Sequence, residues 1–322
     1  NIILLDSLSD DMIYDISSLE KSVIGTPLQL FYRKGIYIAG SQWWILWGIS
    51  KEIKGTTVRS IINNDFKTCS LNLLKNGMYC ATTKNSIFNI TKSWVEALAA
   101  DTIVFPGSII WMDIYGSANM YVLTDDPLFT KDKTYLIRYT NSFWSQSSFA
   151  TSVPLPLGPT ASEWLYANGF SSFAVDWSFR IWLESEKSLY QFYRAQQDKT
   201  LTARAVPLKG GTTIGNGYSE DVKVMATATS RYVYLFDRVN KTLSVYTSNP
   251  AKNGDWYSES YALNYMMRVD LSNLQSSIID LIVDDTDGKQ TAYVLVPDWV
   301  AKISLSDFLE SLKKIQSAKA AQ

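Results

Sequence analysis

The sequence contains no histidine. Without an imidazole, the chain cannot build a Ser-His-Asp triad or a Cys-His nucleophile pair from its own residues. A zinc site would have to rest on cysteine and carboxylate ligands, and the sequence has only two cysteines. Any catalysis would therefore depend on carboxylates, tyrosine, lysine or a bound cofactor. The sequence itself predicts no cofactor.

The sequence also lacks an excess of either charge and any long apolar run. Its 30 basic and 31 acidic residues leave a formal net charge of -1. Nucleic acids attract proteins mainly through concentrated lysine and arginine, which are scattered here, so we predict no nucleic-acid partner. No stretch of about 18 apolar residues occurs, so we predict no membrane-spanning helix. The oligomeric state stays open.

A strand–turn–strand unit recurs about seven times along the chain. Six of the units follow a further apolar stretch, and most precede a looser fourth stretch. The predicted strand pairs lie at 2–14, 36–47, 78–90, 120–137, 179–193, 232–246 and 292–305. Four strands per unit, repeated at a spacing of tens of residues, predict an all-β propeller over residues 1–305. A β-sandwich with regular hairpins is the alternative.

The two ends of the repeat determine the number of blades. The N-terminal pair lacks an inner strand, and the C-terminal unit lacks a clear outer strand. Seven four-stranded antiparallel blades are favoured if the terminal segments share a blade. Six blades are the alternative, with the N-terminus completing the last blade and protecting a sheet edge. Because the chain begins inside an apolar run, Ile2–Leu5, we also expect that a segment has been removed before Asn1.

The spacing of the hairpins resembles the NHL and YVTN types of β-propeller more than the WD40 type. Similar propellers occur in secreted and surface proteins, so the resemblance implies a secreted or cell-surface location. Some are attached to bacterial enzymes such as PPM-type phosphatases, but this sequence contains no phosphatase motif.

The hydrophobic period changes at the C-terminus, and residues 306–322 are predicted as an amphipathic helix and tail. Ser306 and Asp307 are suited to cap the helix. Apolar residues follow at spacings of three and four, at Phe308, Leu309, Leu312 and Ile315. We expect this helix to pack on the propeller.

Cys69 and Cys80 fall on neighbouring predicted strands, on either side of a turn at Asn76 and Gly77. Cross-strand pairing would bring them within disulfide range and indicate an oxidising compartment. The alternative is a reduced pair in which each cysteine acts as a small buried apolar residue. The sequence leaves both open.

Aromatic residues are abundant, with 11 tryptophans and 19 tyrosines. Exposed aromatic side chains suit sugar rings, peptides and protein partners, whereas most tryptophans of a propeller pack between blades. The long segments 142–170 and 209–219 are the expected binding loops. The candidate ligand-binding residues are Trp43, Trp44, Trp144, Trp164, Trp256 and Tyr257.

Acidic residues supply the candidates for chemistry. Asp113, Asp176 and Asp284 lie at or near the ends of predicted inner strands and would serve as catalytic carboxylates if they converged. Asp285 and Asp287 are the candidate metal ligands in an Asp-rich turn. That turn lacks the glutamate that closes a calcium loop, so a solvated turn is favoured there.

Three functions remain open from the sequence. The favoured one is a non-catalytic module that presents loops and aromatic residues to a protein or glycan partner. The second is a carboxylate-dependent hydrolase or lyase acting in the central channel. The third is a structural subunit or domain of a larger surface assembly.

Overall fold

A computed structural model of the chain describes the backbone of the strands and of several connections. The described residues are 2–4, 12–16, 18–32, 36–40, 44–49, 57–60, 66–72, 77–82, 87–91, 95–98, 108–115, 119–125, 135–140, 151–156, 172–175, 181–185, 188–194, 201–206, 208–209, 219, 221–226, 232–247, 263–285, 289–307 and 309–310.

The strands of this part of the chain form six sheets, numbered here in chain order. Sheet 1 contains β3 (Pro27–Tyr32), β4 (Ile36–Gly40), β5 (Trp44–Ile49) and β6 (Thr57–Ser60). Sheet 2 contains β7 (Phe66–Asn72), β8 (Gly77–Thr82), β9 (Ile87–Thr91) and β10 (Val95–Leu98). Sheet 3 contains β11 (Ser108–Tyr115), β12 (Asn119–Asp125), β13 (Tyr135–Thr140) and β14 (Thr151–Pro156).

The other three sheets continue the pattern, and the last two recruit strands from elsewhere. Sheet 4 contains β15 (Ser172–Val175), β16 (Ile181–Ser185), β17 (Ser188–Arg194) and β18 (Leu201–Ala205). Sheet 5 contains β20 (Val222–Ala226), β21 (Tyr232–Asp237), β22 (Thr242–Thr247) and β23 (Leu263–Asp270), with β1 (Ile2–Leu4) and β19 (Leu208–Lys209) added. Sheet 6 contains β24 (Asp280–Asp284), β25 (Thr291–Leu295), β26 (Trp299–Ser304) and β2 (Met12–Asp15).

Each sheet is a meander whose strands pair antiparallel in chain order, except for the added strands. The first strands of successive sheets contact one another: β3 with β7, β7 with β11, β11 with β15, and β15 with β20. The Lys223 ammonium of β20 pairs with the Asp280 carboxylate of β24, and β24 contacts β3, so the series returns to its start. These six first strands are called the inner strands below.

The N-terminal hairpin predicted over residues 2–14 is wrong. β1 pairs in parallel with β23 of sheet 5, and β2 pairs antiparallel with β26 of sheet 6. Both strands cover what would otherwise be the open outer edge of a sheet, where unpaired backbone groups invite association. The described strands therefore account for six of the seven predicted hairpins, and the N-terminus completes the last sheet.

The described core lies between neighbouring sheets. One cluster joins sheets 4 and 5 and includes Leu189, Val224 and Leu235. A larger cluster joins sheets 5 and 6 through Tyr234, Phe236, Val269 and Val294, among others. A third joins sheets 6 and 1 and consists of Ile16, Ile24, Leu30, Ile38, Tyr293, Leu295 and Val300. Sheets 5 and 6 each lie between two of these clusters, so apolar side chains are buried on both of their faces.

A helix that the sequence analysis did not predict, α1 (Ser18–Ile24), connects β2 to β3. At the other end of the chain, Ser306, Asp307, Leu309 and Glu310 have helical backbone, and the Leu309 amide donates to the Leu305 carbonyl at 3.0 Å. The remainder of the predicted C-terminal helix lies outside the described residues, so that helix and the boundary at residue 305 stay predictions. Among the described residues, no helix has the length and apolar character to cross a membrane.

Candidate functional site

One face of the molecule carries two kinds of connection. In a four-stranded meander, the turn between the second and third strands lies at the same end as the crossover to the next sheet. For sheets 5, 6 and 1, this end contains the turns 238–241 and 296–298, the crossover 271–279, and residues 16 and 18–26 of the crossover between sheets 6 and 1. We call this end of the three sheets the loop face.

The crossover into sheet 1 is tied to the turn of sheet 6. The Ile16 amide donates to the Asp298 carbonyl at 2.7 Å, and the Lys21 ammonium pairs with the Asp298 carboxylate. Ile16 and Ile24 bury their side chains in the cluster between these two sheets. The crossover is therefore held by polar contacts at the surface and by apolar contacts beneath it.

Two glycines allow α1 to pack closely in the crossover between sheets 6 and 1. Gly25 has a φ of 72° and its amide donates to the Lys21 carbonyl at 2.9 Å, so it ends the helix in the left-handed conformation that glycine favours. Gly40, at the end of β4, lies against the helix. A β-carbon at residue 40 would approach the Ile24 carbonyl oxygen to 2.1 Å, so only glycine fits there without a shift of the backbone.

Asp280, the first residue of β24, joins three consecutive sheets. Its carboxylate accepts from the Leu30 amide of sheet 1 at 2.9 Å and from the Lys223 ammonium of sheet 5 at 2.7 Å. Its own sheet contributes the Leu281 amide at 2.9 Å, and Lys223 also donates to the Leu281 carbonyl at 3.1 Å. The carboxylate is buried yet fully partnered, as a charge removed from water must be.

In sheet 5, Asp237 ties the start of the sheet to its turn. The Ser219 amide and hydroxyl donate to it at 2.8 and 2.6 Å, and the Asn240 amide and side-chain Nδ2 donate at 3.0 and 2.8 Å. Burial would raise the pKa of the Asp237 carboxyl, but these hydrogen bonds together outweigh it and hold the pKa below its ordinary value. The carboxylate is therefore the form that the fold requires.

The remaining cations of this turn are also engaged. The Lys241 ammonium donates to the Leu274 carbonyl at 2.7 Å and the Ser276 carbonyl at 3.2 Å, which anchors the crossover into sheet 6. Arg238 pairs with Asp221 at 3.0 Å. The described charges of the loop face are thus used to hold its own turns and crossovers together.

Two large apolar side chains on the loop face are exposed to solvent. Leu28, near the start of β3, is 56% exposed, and Val239, in the turn of sheet 5, is 67% exposed. They are the large apolar side chains that are exposed among the residues whose burial the structure describes. The exposed charged residue of this face, Asp298, is paired with Lys21. The other exposed residues described in its crossovers and turns are uncharged and polar: Ser18, Ser22, Thr26, Asn240, Ser272, Asn273, Gln275 and Ser277.

Two of the three predicted catalytic carboxylates are placed, and they lie on the inner strands of different sheets. Asp113 lies on β11 of sheet 3 and Asp284 ends β24 of sheet 6. Along the inner strands, β3 and β7 separate these two on one side and β15 and β20 on the other. Asp176 lies outside the described residues. Catalysis in the channel therefore stays an untested alternative.

The other predicted site residues are only partly placed. Trp44 begins β5, and Asp285 is buried just after β24. The described residues contain no group of three or more metal-ligating side chains that would hold an ion. Trp43, Trp144, Trp164, Trp256, Tyr257 and Asp287 lie outside the described residues. The aromatic ligand site and the metal ligands stay predictions.

Leu28 and Val239 were not among the predicted site residues. Leu28 belongs to the apolar stretch that precedes the predicted strand pair 36–47, and an apolar stretch of this kind indicates a buried strand. Val239 could have been found from the sequence, because an apolar residue between Arg238 and Asn240 interrupts an otherwise polar turn.

No protein-family model matches the chain, and no curated protein matches it in sequence. Solved structures do match in fold. The β-propeller domain of Cps50 (Swd1) from Myceliophteria thermophila aligns with a TM-score of 0.50 and 10% identity over 91% of this chain and 88% of its own. YCF48 bound to D1 peptide aligns with a TM-score of 0.50 and 11% identity over 94% and 86%. U3-55K aligns with a TM-score of 0.51 and 8% identity over 91% and 98%.

At such low identity, this similarity concerns the fold alone. Together with the six meander sheets and their contacting inner strands, it shows that the chain is a β-propeller. The NHL or YVTN type is not distinguished by these neighbours and stays a prediction.

Proposed function

We propose that this chain is a non-catalytic protein-binding module. In this proposal it is a six-bladed propeller that presents the loop face of sheets 5, 6 and 1 to an extended, weakly charged segment of a protein partner. The observation that carries the proposal is the exposure of Leu28 and Val239 on a face whose described charges already have partners within the chain.

The charge pattern favours this class of partner. A polyanion or an acidic peptide would need unengaged cations, whereas Lys21, Arg238 and Lys241 are held by carboxylates or carbonyls of the same face. Apolar anchors surrounded by hydroxyl and amide groups suit a peptide whose backbone can exchange hydrogen bonds while its side chains cover Leu28 and Val239.

The rigidity of the face supports the same conclusion. The crossovers into sheets 6 and 1 are fixed to neighbouring turns, so little ordering would accompany binding. A preorganised surface loses less conformational entropy when it binds. One structural neighbour, YCF48, has been solved bound to a D1 peptide, which makes a peptide partner a reasonable class to test first.

The test begins with a phage-displayed library of random peptides as the probe. A selected peptide is then measured by calorimetry against the unchanged chain and against a Leu28→Ser/Val239→Ser variant. Burying each apolar side chain contributes about 1.5–3 kcal/mol, so losing one buried anchor weakens binding by at least tenfold. Lys289→Ser, an exposed residue between β24 and β25 at the opposite end of sheet 6, is the matched control and leaves the affinity unchanged.

Two results would contradict the proposal. One is a peptide whose affinity falls with Lys289→Ser and not with the loop-face variant. The other is a library that yields no binding peptide while a glycan array yields a ligand, which would favour the glycan-binding alternative. A secreted or cell-surface location and a role as a subunit of a larger assembly remain predictions.

A further inference from the structure

The only two cysteines among the 322 residues occupy opposite positions in one hairpin. Cys69 on β7 is the register partner of Cys80 on β8, within the antiparallel pair that begins sheet 2. The flanking pairs, Thr68 with Ala81 and Ser70 with Tyr79, continue the same register. The register shift in this strand pair lies between Phe66 and Thr68, so it does not reach the cysteines.

This placement meets the backbone requirement for a disulfide. Opposite residues of an antiparallel pair have Cα atoms about 4.5–5.5 Å apart, and disulfides join residues whose Cα atoms are about 4.4–6.8 Å apart. Opposite residues also share one face of the sheet. A slip of one residue would move one cysteine to the other face, so the coincidence depends on this register.

We propose that Cys69 and Cys80 form a cross-strand disulfide between β7 and β8. The thiolate of one cysteine attacks a sulfur of a small-molecule disulfide, breaks its S–S bond, forms a mixed disulfide and releases one small thiolate. The second thiolate then attacks the cysteine sulfur of that mixed disulfide and displaces the small thiol. Two protons and two electrons leave the cysteines, and the small-molecule disulfide is reduced to two thiols.

The bond would stabilise a part of the fold next to the channel. β7 is an inner strand and contacts the inner strands β3 and β11 of the two neighbouring sheets. Closing the short loop between the cysteines restricts the unfolded chain, and for a loop of about 12 residues this raises the ratio of folded to unfolded protein roughly a hundredfold. The proposal stands apart from the proposed binding function, because it concerns neither the loop face nor its ligand.

Trypsin sites make the test direct. Lysines at 67, 75 and 84 place Cys69 in the peptide 68–75 and Cys80 in the peptide 76–84. The folded chain is equilibrated with oxidised glutathione, alkylated and digested without reduction. The expected product is the two peptides joined as one species, which separates on reduction. Two alkylated peptides, two glutathione adducts or a link between two chains would overturn the proposal.

A register control separates a native disulfide from chance oxidation. The Cys69→Ser/Ser70→Cys variant keeps two thiols in the hairpin but moves one to the opposite face of the strand. This variant is expected to remain alkylatable under conditions that oxidise the unchanged chain. Equal oxidation of both proteins would contradict the proposal, because the bond would then form without the native register.

Stability supplies a second readout. The oxidised chain is compared with the reduced chain, and the Cys69→Ser/Cys80→Ser variant is carried through the same two conditions. Reduction should lower the folded-to-unfolded ratio of the unchanged chain by roughly a hundredfold and leave the variant unaffected. A change of similar size in the variant would show that reduction acts elsewhere and would contradict the assignment.

Discussion

Replacing Asp280 with alanine removes the carboxylate that joins sheets 5, 6 and 1. The substitution leaves the Leu30 amide without its acceptor and the Lys223 ammonium without its counter-ion. Both interactions lie between sheets, so their loss acts on the point where the series of inner strands returns to its start. We predict a large fall in the free energy of unfolding, while the β-strand content of the folded protein stays the same.

The magnitude follows from burial. Removing one partner of a fully buried ion pair costs about 3–5 kcal/mol. The Lys223 side chain is 28% exposed, so its ammonium can regain part of its hydration. A buried amide without an acceptor costs about 1–3 kcal/mol. We therefore expect Asp280→Ala to lower the free energy of unfolding by about 2–4 kcal/mol. Asp280→Asn should lower it by about half as much, since one oxygen can still accept from Leu30.

Urea unfolding followed by tryptophan fluorescence measures the effect, provided that the urea dependence of the free energy is unchanged. Asp298→Ala is the matched control, because it removes an exposed carboxylate from the pair with Lys21 but leaves the Asp298 carbonyl bonded to Ile16. Exposed pairs contribute about 0–1 kcal/mol. If the two alanine variants lost the same small free energy, Asp280 would not join the sheets as described.

Three further predictions concern other parts of the same region. Gly40→Ala should lower the apparent melting temperature by several degrees, since its β-carbon would meet the Ile24 carbonyl. Asp237→Asn should weaken the pH dependence of unfolding below pH ~4: the depressed pKa stabilises the fold above the unfolded pKa, and this contribution is lost as pH falls through the folded pKa. Leu309→Ala should cost about 2–5 kcal/mol in urea unfolding, because its side chain is buried in the cluster between sheets 5 and 6; a loss below 1 kcal/mol would contradict that packing.

The all-β repeat could be predicted because most strands of a sheet are neighbours along the chain and are marked by their local residue pattern. The strand pairs 232–246 and 292–305 alternate β-branched and aromatic residues around polar turns, and both appear as β21–β22 and β25–β26. The partners of β1 and β2 could not be predicted in the same way. Their pairing depends on which sheet edges remain open after the other strands have assembled, and that is a property of the whole ring.

The candidate site was less predictable than the fold. The α1 helix has a sequence signal, since it begins at Ser18 and is followed by Gly25, but seven residues are too few for a clear hydrophobic period. Asp280 was missed because its importance comes from Leu30 and Lys223, which lie 250 and 57 residues away. Contacts of such separation have no local pattern that a single sequence can reveal.

Hydrogen exchange of the chain with and without a selected peptide tests the proposed binding function most directly. If the peptide binds the loop face, it slows exchange at the amides of 18–28 and 238–241. Unchanged exchange there, with protection confined to the amides of 289–291 at the opposite end of sheet 6, would contradict the proposal.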